Sequence, residues 1–295
     1  MRVTARVPAT SANLGPGFDC FGLALDLCNE VTVDTDAPPG VSWEGEGAAE
    51  LPTDGTDMVS AGMRHVEAIV HASRTVPLPA VHLHGVNRIP LERGLGSSSA
   101  AIVAGVALAH ALFDRAHGSR DHGLDATFAV AAELEGHPDN VAAAVFGGFT
   151  IAVPDGTVHR LKPHPDLRPV VLIPTATRLA TSEARAALPD TVTRQDAVFN
   201  AAHAALMVEA LTRDPSLLWT ALQDRLHQEA RLAMVPEIRD VFEALRADHI
   251  PVCVSGAGPS LLAFEQDGHE VRIPADGWSA LRPGTRASGV EISET

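Results

Sequence analysis

Hydrophobic and polar positions alternate in three short segments of the chain, and each of them predicts a half-buried strand. The segments are Arg2 to Val7, Glu30 to Asp34 and Val81 to Ile89. A different pattern follows the third: Ala100 to Phe113 contains no charged residue, which predicts a helix buried on every side. A strand, a glycine-rich loop and a buried helix in succession are typical of a protein in which helices pack on a sheet.

Further elements lie on both sides of a proline-rich stretch, Pro163 to Pro169. Before it, the pattern predicts helices over Met58 to Ser73, Thr127 to Leu134 and Val141 to Phe146, a strand over Phe149 to Val153, and breaks at Ala37 to Gly40 and Leu51 to Asp57. After it, the pattern predicts strands over Val170 to Ile173, Val252 to Ser255 and Leu261 to Phe264, and helices over Thr181 to Leu188, Ala197 to Leu211, Leu217 to Arg225 and Pro236 to Ala247. We therefore expect two domains, residues 1–163 and 164–295.

The net charge excludes several classes of partner. The 295 residues carry a formal net charge of −15, so neither nucleic acid nor an anionic membrane is expected as a partner, because both need a basic surface. An anionic ligand must then be held by a local feature such as a helix N-terminus, a few arginines or a metal ion. Lys162 is the only lysine, so the sequence has no G-x-x-x-x-G-K-[ST] phosphate loop and no V-A-I-K lysine of a protein kinase.

The cysteines and the apolar runs predict a cytoplasmic protein. Cys20, Cys28 and Cys253 are too few and too scattered for a disulfide framework, and none forms a C-x-x-C pair. The first residues lack the pattern of a secretory signal. The apolar run Ala100 to Phe113 is shorter than the roughly 20 residues that a membrane-spanning helix needs.

The stretch GLGSSS, Gly94 to Ser99, has the composition of an anion-binding loop. Its glycines let the backbone approach a ligand closely, and its serines fall at the predicted N-cap and first turn of the buried helix, where backbone N–H groups are free. Such a helix N-terminus binds phosphate, and a serine hydroxyl there can ligate Mg²⁺. An ordinary serine cap after a glycine turn explains the same residues. The Rossmann fingerprint fits poorly, because Ser99 occupies its last glycine position.

Three further stretches are rich in groups that donate, accept or chelate. PATSANLGPGFD (Pro8 to Asp19) is predicted to be a loop of small residues. EGHPDN (Glu135 to Asn140) lies between two predicted helices, and SGAGPS (Ser255 to Ser260) is a second glycine-rich turn. Each also has a plain structural explanation: a surface loop, a connector in which Asp139 or Asn140 caps the next helix, and a tight turn within a sheet. Taken singly, none of them decides the function.

The four stretches together, in this order, resemble the motifs of the GHMP kinase superfamily. Within it, SANLGPGFD and EGHPDN resemble the homoserine kinase family, and the resemblance runs from Val3 to the segment near Leu281. It implies an α+β, two-domain GHMP kinase fold, with an N-terminal domain like ribosomal protein S5 domain 2 and a ferredoxin-like C-terminal domain. The active site would lie in the cleft between them. The resemblance also implies a homodimer.

ATP and Mg²⁺ are the ligands that the resemblance implies for the glycine-rich loop. The triphosphate would be wrapped by Pro90, Gly94, Leu95, Gly96, Ser97, Ser98, Ser99 and Ala100. Ser98 would touch Mg²⁺ together with a glutamate, which is Glu135 or, if the alignment slips, Glu133. Ser97 and Ser99 would contribute mainly backbone donors and helix caps.

L-homoserine, a small zwitterionic alcohol, is the substrate that the resemblance implies. Its expected contacts are Asn13, Asp19, His137, Asn140, Thr181, Arg185 and Arg231. The two arginines would hold its carboxylate, because the guanidinium fork matches carboxylate geometry, and Asp19 would hold its ammonium group. Thr181 would lie near the reacting hydroxyl. The implied reaction transfers the γ-phosphoryl group of ATP to that hydroxyl and gives O-phospho-L-homoserine and ADP, a step of threonine biosynthesis.

Asn140 occupies the position at which several GHMP kinases carry an aspartate base, so we predict direct in-line transfer without a dedicated protein base. An amide takes no proton at neutral pH, and phosphoryl transfer depends mainly on positioning and charge neutralisation. Asp139 and His137 are the alternative bases. The alternative functions are a kinase for another small alcohol, of which a neutral one would give the two arginines no carboxylate to hold, and an inactive nucleotide-binding sensor on the same fold.

Overall fold

The computed structural model describes residues 1–71, 77–118, 122–266, 268–273 and 276–294. Its helices are α1 (Met58–His71), α2 (Ser97–His117), α3 (Leu124–Glu135), α4 (Pro138–Phe146), α5 (Thr181–Ala186), α6 (Arg194–Thr212), α7 (Leu218–Ala221), α8 (Gln228–Met234) and α9 (Pro236–Ala247). Its strands are β1 (Arg2–Ala12), β2 (Phe21–Asp34), β3 (Gly40–Gly45), β4 (His82–Asn87), β5 (Phe149–Ala152), β6 (Val158–Leu161), β7 (Arg168–Pro174), β8 (Val252–Val254), β9 (Leu261–Glu265), β10 (Trp278–Leu281) and β11 (Glu291–Glu294). Ser73, the predicted end of the first helix, lies outside the described residues.

Strands from both ends of the chain form the larger sheet. Its order is β11-β1-β2-β4-β3, with β5 joined to β2 and β6 joined to β5. The alternation predicted for β1 is confirmed, because Val3, Ala5 and Val7 are each 1% exposed or less. Since β11 returns to pair with β1, the last residues of the chain belong to this sheet, and the division near residue 163 stays a prediction.

Helix α2 lies in the core against the larger sheet, as its charge-free sequence predicts. Val103, Val106 and Leu108 are fully buried, and a Cβ at Gly105 would lie 2.0 Å from the carbonyl oxygen of Val59 in α1. The helix has 21 residues and is long and apolar enough to cross a membrane, but 72% of its most apolar window is buried inside the protein. The helix is therefore longer than the apolar run Ala100 to Phe113 predicts, and its burial is typical of a core helix.

The smaller sheet has the order β10-β7-β9-β8, and all its pairs are antiparallel. Helix α9 has the bounds that its periodicity predicts, and it packs on this sheet through Ile238, Phe242 and Leu245. A strand, helices, a hairpin and a last strand follow one another as in a ferredoxin-like fold. The predicted α+β architecture of two sheets is confirmed, although no helix lies between β9 and β10 in the part of the chain that is described.

Three sequence-based predictions of elements are wrong, each for a physical reason. Residues 8–12 of the predicted loop Pro8 to Asp19 belong to β1, because they pair with β2, and residues 13–17 are buried, so this stretch is not a surface loop. The turn signal that ends at Gly40 predicts a break, but a strand begins there because β3 finds a parallel partner in β4. The pattern over Leu217 to Arg225 predicts one helix, but α7 ends at Ala221. The chain then turns inward, so that the buried Asp224 carboxylate accepts hydrogen bonds from the backbone of the next turn. The pattern gives no sign of β6, β10, β11 or α8.

Candidate active site

A cavity of about 600 Å³ opens between the two halves of the protein. Most of the predicted site residues line it: Asn13, Gly94, Leu95, Gly96, Ser97, Ser98, Ser99, Ala100, Glu135, His137, Asn140, Thr181, Arg185 and Arg231. Pro90 and Asp19 lie outside this wall, although Asp19 forms an ion pair with the cavity-lining Arg185. The fold therefore brings together loops that the sequence separates widely.

The glycine-rich loop enters α2 through two left-handed residues, Gly94 and Gly96, with φ of 68° and 67°. A Cβ on Gly94 would lie 2.2 Å from the Ser255 carbonyl oxygen, and one on Gly96 would lie 2.0 Å from Thr10 Oγ1, so only glycine fits at either position. Gly96 is also the N-cap of α2, and no side chain caps this helix. The prediction that the serines act as caps is therefore wrong, and the first backbone N–H groups remain free for a ligand.

Two serine hydroxyls of this loop bind one carboxylate. Ser98 Oγ donates to Glu135 Oε2 at 2.8 Å, and Ser99 Oγ donates to Glu135 Oε1 at 2.9 Å. Glu133 is 70% exposed and lies 4.0 Å from His65, away from the loop. Of the two glutamates that the sequence left open, Glu135 is the one that faces the loop. A hydroxyl and a carboxylate oxygen are the hard ligands that Mg²⁺ prefers, so this pair fits that ion.

The N-terminal loop is held in a strained shape by Asn13. Asn13, Leu14 and Asp19 all have positive φ, at 68°, 47° and 56°. The Asn13 amide joins two segments, because its Nδ2 donates to the Gly256 carbonyl at 2.9 Å and its Oδ1 accepts from the Asp19 backbone N–H at 3.0 Å. Such strain at a non-glycine residue persists only when the surroundings fix it, and it is common at binding sites.

Two arginines from the C-terminal half converge on the Phe18 ring, at 5.5 Å for Arg185 and 5.4 Å for Arg231. Arg185 makes a bidentate ion pair with Asp19, and its NH1 donates at 3.0 Å. Arg231 is 1% exposed, and burial lowers its pKa to about 10, with the charge of Arg185 adding to the effect. The Nε atoms of both arginines are buried and find no hydrogen-bond partner among the described residues. Unsatisfied cationic donors of this kind indicate an anionic ligand.

The EGHPDN loop turns sharply into α4, with His137 as N-cap and Pro138 as the first helical residue. Neither Asp139 nor Asn140 is therefore the cap. Asn140 Oδ1 accepts a hydrogen bond from Thr10 Oγ1 at 2.7 Å, and its NH₂ group donates to Asp139 Oδ1 at 3.5 Å, which leaves one N–H of the amide that can face a substrate. Burial raises the pKa of the Asp139 carboxyl to about 6, although the Asn140 backbone N–H donates to it at 2.7 Å. Burial, and then the charge of Arg185, lowers the pKa of His137.

The far end of the cavity is made by residues that no sequence motif marked. The ring of Trp43 lies against the backbone of Gly85, where a Cβ would approach it to 2.2 Å. Val31 and Leu91 add apolar surface. Asn87 is 4% exposed and donates to the Glu46 carbonyl, but its Oδ1 is buried without a partner in the described chain. Apolar side chains beside one unpartnered acceptor suit a heteroaromatic ring that carries an amino group.

The turn at Ser255 and Gly256 connects these loops. Ser255 Oγ donates to the Gly94 carbonyl at 2.7 Å and shares a 2.8 Å hydrogen bond with Ser11 Oγ. The Gly256 carbonyl accepts from both Asn13 and Arg231. SGAGPS is therefore more than a tight turn within a sheet, because it joins the glycine-rich loop, the N-terminal loop and one arginine.

The buried Asp139 carboxyl predicts a stability that depends on pH. Its pKa is raised from 3.8 to about 6, so the folded state favours the protonated form. That contribution to stability is present below about pH 4 and is lost as the pH rises through about 6. We expect Asp139→Asn, which cannot ionise, to be more stable than the wild type by about 1–3 kcal/mol above pH 7, measured by urea unfolding. The exposed Asp125→Asn is the control, and a gap between Asp139→Asn and the wild type that does not change with pH contradicts the account.

Comparisons with known proteins identify the family. Residues 63–148 match the family of GHMP kinases N terminal domains, and residues 206–274 match that of GHMP kinases C terminal domains. The homoserine kinase of Clavibacter michiganensis subsp. michiganensis is 46% identical over 271 residues, which covers 90% of this chain and 83% of that one. The homoserine kinase of Streptomyces avermitilis is 42% identical over 297 residues, with 98% and 95% covered.

Solved structures have the same fold. A putative homoserine kinase from Listeria monocytogenes superposes with a TM-score of 0.74 at 31% identity over 99% of this chain and 100% of that one. A homoserine kinase from Cytophaga hutchinsonii has a TM-score of 0.81 at 23% identity over 99% and 97%. The site geometry and these likenesses lead to one conclusion: the chain belongs to the homoserine kinase family of the GHMP kinases.

Proposed function

We propose that this enzyme transfers the γ-phosphoryl group of ATP to the hydroxyl of L-homoserine, giving O-phospho-L-homoserine and ADP in threonine biosynthesis. The observation that carries the proposal is the pair Arg185 and Arg231, whose guanidinium groups converge on the Phe18 ring and which both line the cavity. They match the carboxylate of an amino acid, whereas a neutral sugar or a simple alcohol gives them nothing to bind. The glycine-rich loop supplies the phosphate site on the wall of the same cavity.

ATP would lie along the cavity from the α2 N-terminus to the Trp43 end. The free N–H groups at the start of α2 and the helix dipole favour the triphosphate, although the protein as a whole is acidic. The adenine base would occupy the apolar slot beside Trp43, with the free Asn87 Oδ1 accepting from its amino group. Ser98 and Glu135 would hold Mg²⁺, and the bound ion would supply positive charge to the phosphate oxygens.

Homoserine would bind at the other end, with its carboxylate between Arg185 and Arg231. Asp19 would bind the ammonium group, because its carboxylate already lies against Arg185. The two side chains could then bind the two opposite charges of one zwitterion, Asp19 the ammonium group and Arg185 the carboxylate. Thr181, His137 and the NH₂ group of Asn140 would line the path of the hydroxyl. The Thr10 hydrogen bond fixes the amide so that Asn140 donates to the hydroxyl oxygen and leaves the proton of that hydroxyl in place.

Transfer would be direct, without a dedicated protein base. The homoserine oxygen would form the new P–O bond as the bond between the γ-phosphorus and the bridging oxygen of ADP breaks, and the hydroxyl proton would pass to an oxygen of the transferred phosphoryl group and from there to solvent. The loose transition state of phosphoryl transfer is stabilised mainly by alignment and by neutralisation of charge. The glycine-rich loop, the magnesium ligands Ser98 and Glu135, and the two arginines would provide both. From the resemblance to the family we also propose a homodimer that works in the cytoplasm. The mass of the native protein in solution tests the dimer.

The substrate is tested by offering MgATP with homoserine, mevalonate, galactose or threonine in separate reactions and measuring ADP release. We expect rapid turnover with homoserine alone, because only this alcohol combines a carboxylate and an α-ammonium group with a free primary hydroxyl. Turnover on mevalonate or galactose instead would identify a kinase for another alcohol. Retained ATP binding with no turnover on any of the four would identify a nucleotide-binding sensor.

Glu135 and Glu133 provide a matched pair for testing the metal site. Glu135→Gln should lower kcat/KM for MgATP by about a hundredfold and raise the Mg²⁺ concentration needed for half-maximal rate, because a carboxylate ligand is lost. Glu133→Gln, the same change two residues away on an exposed side chain, should stay near the wild type. An impaired Glu133→Gln beside an active Glu135→Gln would overturn the assignment.

The absence of a base is tested by comparing turnover in three variants. Asp139→Asn and His137→Asn should each keep kcat within about tenfold of the wild type, whereas Ser98→Ala should lose about a hundredfold. Initial rates at saturating substrate give this comparison. If Asp139→Asn lost turnover and Ser98→Ala kept it, Asp139 would be the base and direct transfer without a base would be wrong.

A further inference from the structure

A histidine outside the predicted site lies directly behind one of the two arginines. His227 is the N-cap of α8, and the four-residue spacing brings it beside Arg231, whose NH1 lies 3.0 Å from His227 Nδ1. Both side chains are buried, at 1% exposure each. The EGHPDN and SANLGPGFD motifs give no sign of this contact, since His227 belongs to neither.

The hydrogen bonds of His227 fix which ring nitrogen carries the proton. Nε2 lies 2.8 Å from the Gly15 carbonyl oxygen, which can only accept, so Nε2 is the N–H donor. Nδ1 is then the free lone pair that accepts from the Arg231 guanidinium. Burial lowers the pKa of the His227 imidazole to about 4, so the ring is neutral at physiological pH and keeps this lone pair.

Asp224 does not compete for the ring. Its Oδ2 accepts from the backbone N–H groups of His227 and Gln228 at 2.9 and 2.8 Å, and its Oδ1 accepts from Asn200 at 2.7 Å. The distance from His227 Nε2 to this carboxylate is 3.8 Å. The carboxylate therefore fixes the backbone at the start of α8, while the imidazole is left to connect Gly15 with Arg231.

This connection determines which edge of the guanidinium is free. Arg231 NH1 is bound by His227 and by the Gly256 carbonyl, and the Phe18 ring lies under the guanidinium and 5.2 Å from the imidazole. Nε is buried without a partner in the described chain, and Arg231 lines the cavity. NH1, which His227 binds, is thus the guanidinium nitrogen whose two N–H groups both have hydrogen-bond partners among the described residues.

We propose that His227 is a positioning residue for homoserine: its Nδ1 lone pair holds Arg231 NH1 so that the unpartnered edge of the guanidinium meets the substrate carboxylate. Through Nε2 the same ring ties Arg231 to the N-terminal loop, which carries the ammonium-binding Asp19. The inference rests on the proposed function, because it needs homoserine as the substrate.

Two substitutions separate the two hydrogen bonds of the ring. His227→Gln puts an amide N–H near the place of Nε2 and removes the acceptor for Arg231, whereas His227→Asn puts an amide oxygen near the place of Nδ1. We expect His227→Gln to raise KM for homoserine about ten- to hundredfold, as for the loss of a hydrogen bond to a charged group, with KM for ATP unchanged. His227→Asn should stay within about threefold of the wild type. Equal losses in both variants, or an equal rise in KM for ATP, would show a merely structural role and overturn the proposal.

A measurement on the unmodified protein keeps the proposal testable if His227→Gln fails to fold. The nitrogen-15 NMR signals of the His227 ring should show a protonated Nε2 and an unprotonated Nδ1. A protonated Nδ1 rejects the proposal, because it could not accept from Arg231. Failure of the proposed function looks different: the wild type itself would then leave homoserine unphosphorylated.

Discussion

The buried turn at Ser255 and Gly256 is the contact on which the site depends. Ser255 is fully buried, and its hydroxyl forms hydrogen bonds with the Gly94 carbonyl and with Ser11. The Gly256 carbonyl accepts hydrogen bonds from the side chains of Asn13 and Arg231. One turn from the smaller sheet thereby sets the distance between the loop that would bind ATP and the groups that would bind homoserine. Because phosphoryl transfer gains mainly from alignment, this distance matters more than the strength of any single contact.

An acidic protein can bind two anionic groups here because the positive charge is local. The chain has a formal charge of −15, yet two arginines and a helix N-terminus face one cavity. Both guanidinium groups, of Arg185 and of Arg231, lie over the ring of Phe18, whose π-electrons offset part of their repulsion. Asp19 neutralises one of them, and the neutral His227 binds the other without cancelling its charge.

The sequence predicts those features whose signals are local. The charge-free run identifies α2, the periodicity of residues 236–247 identifies α9, and the glycine pair identifies the loop at Gly94 and Gly96. Features that depend on distant partners stay hidden. Strand β11 is exposed along its whole length and exists only through β1, and the Asp19–Arg185 ion pair joins residues 166 positions apart. His227 lies only four residues from Arg231, but the tautomer that this contact needs is set by the distant Gly15 carbonyl, which no sequence pattern indicates.

Direct transfer between two aligned substrates is the central claim, and the stereochemistry at phosphorus tests it most directly. The measurement uses ATP whose γ-phosphoryl group is chiral through oxygen-isotope labelling, together with homoserine and Mg²⁺. A single in-line displacement predicts that the phosphoryl group arrives on the homoserine hydroxyl with inverted configuration. Retained configuration would require a phosphorylated enzyme group and would contradict the account, and so would the absence of label on homoserine.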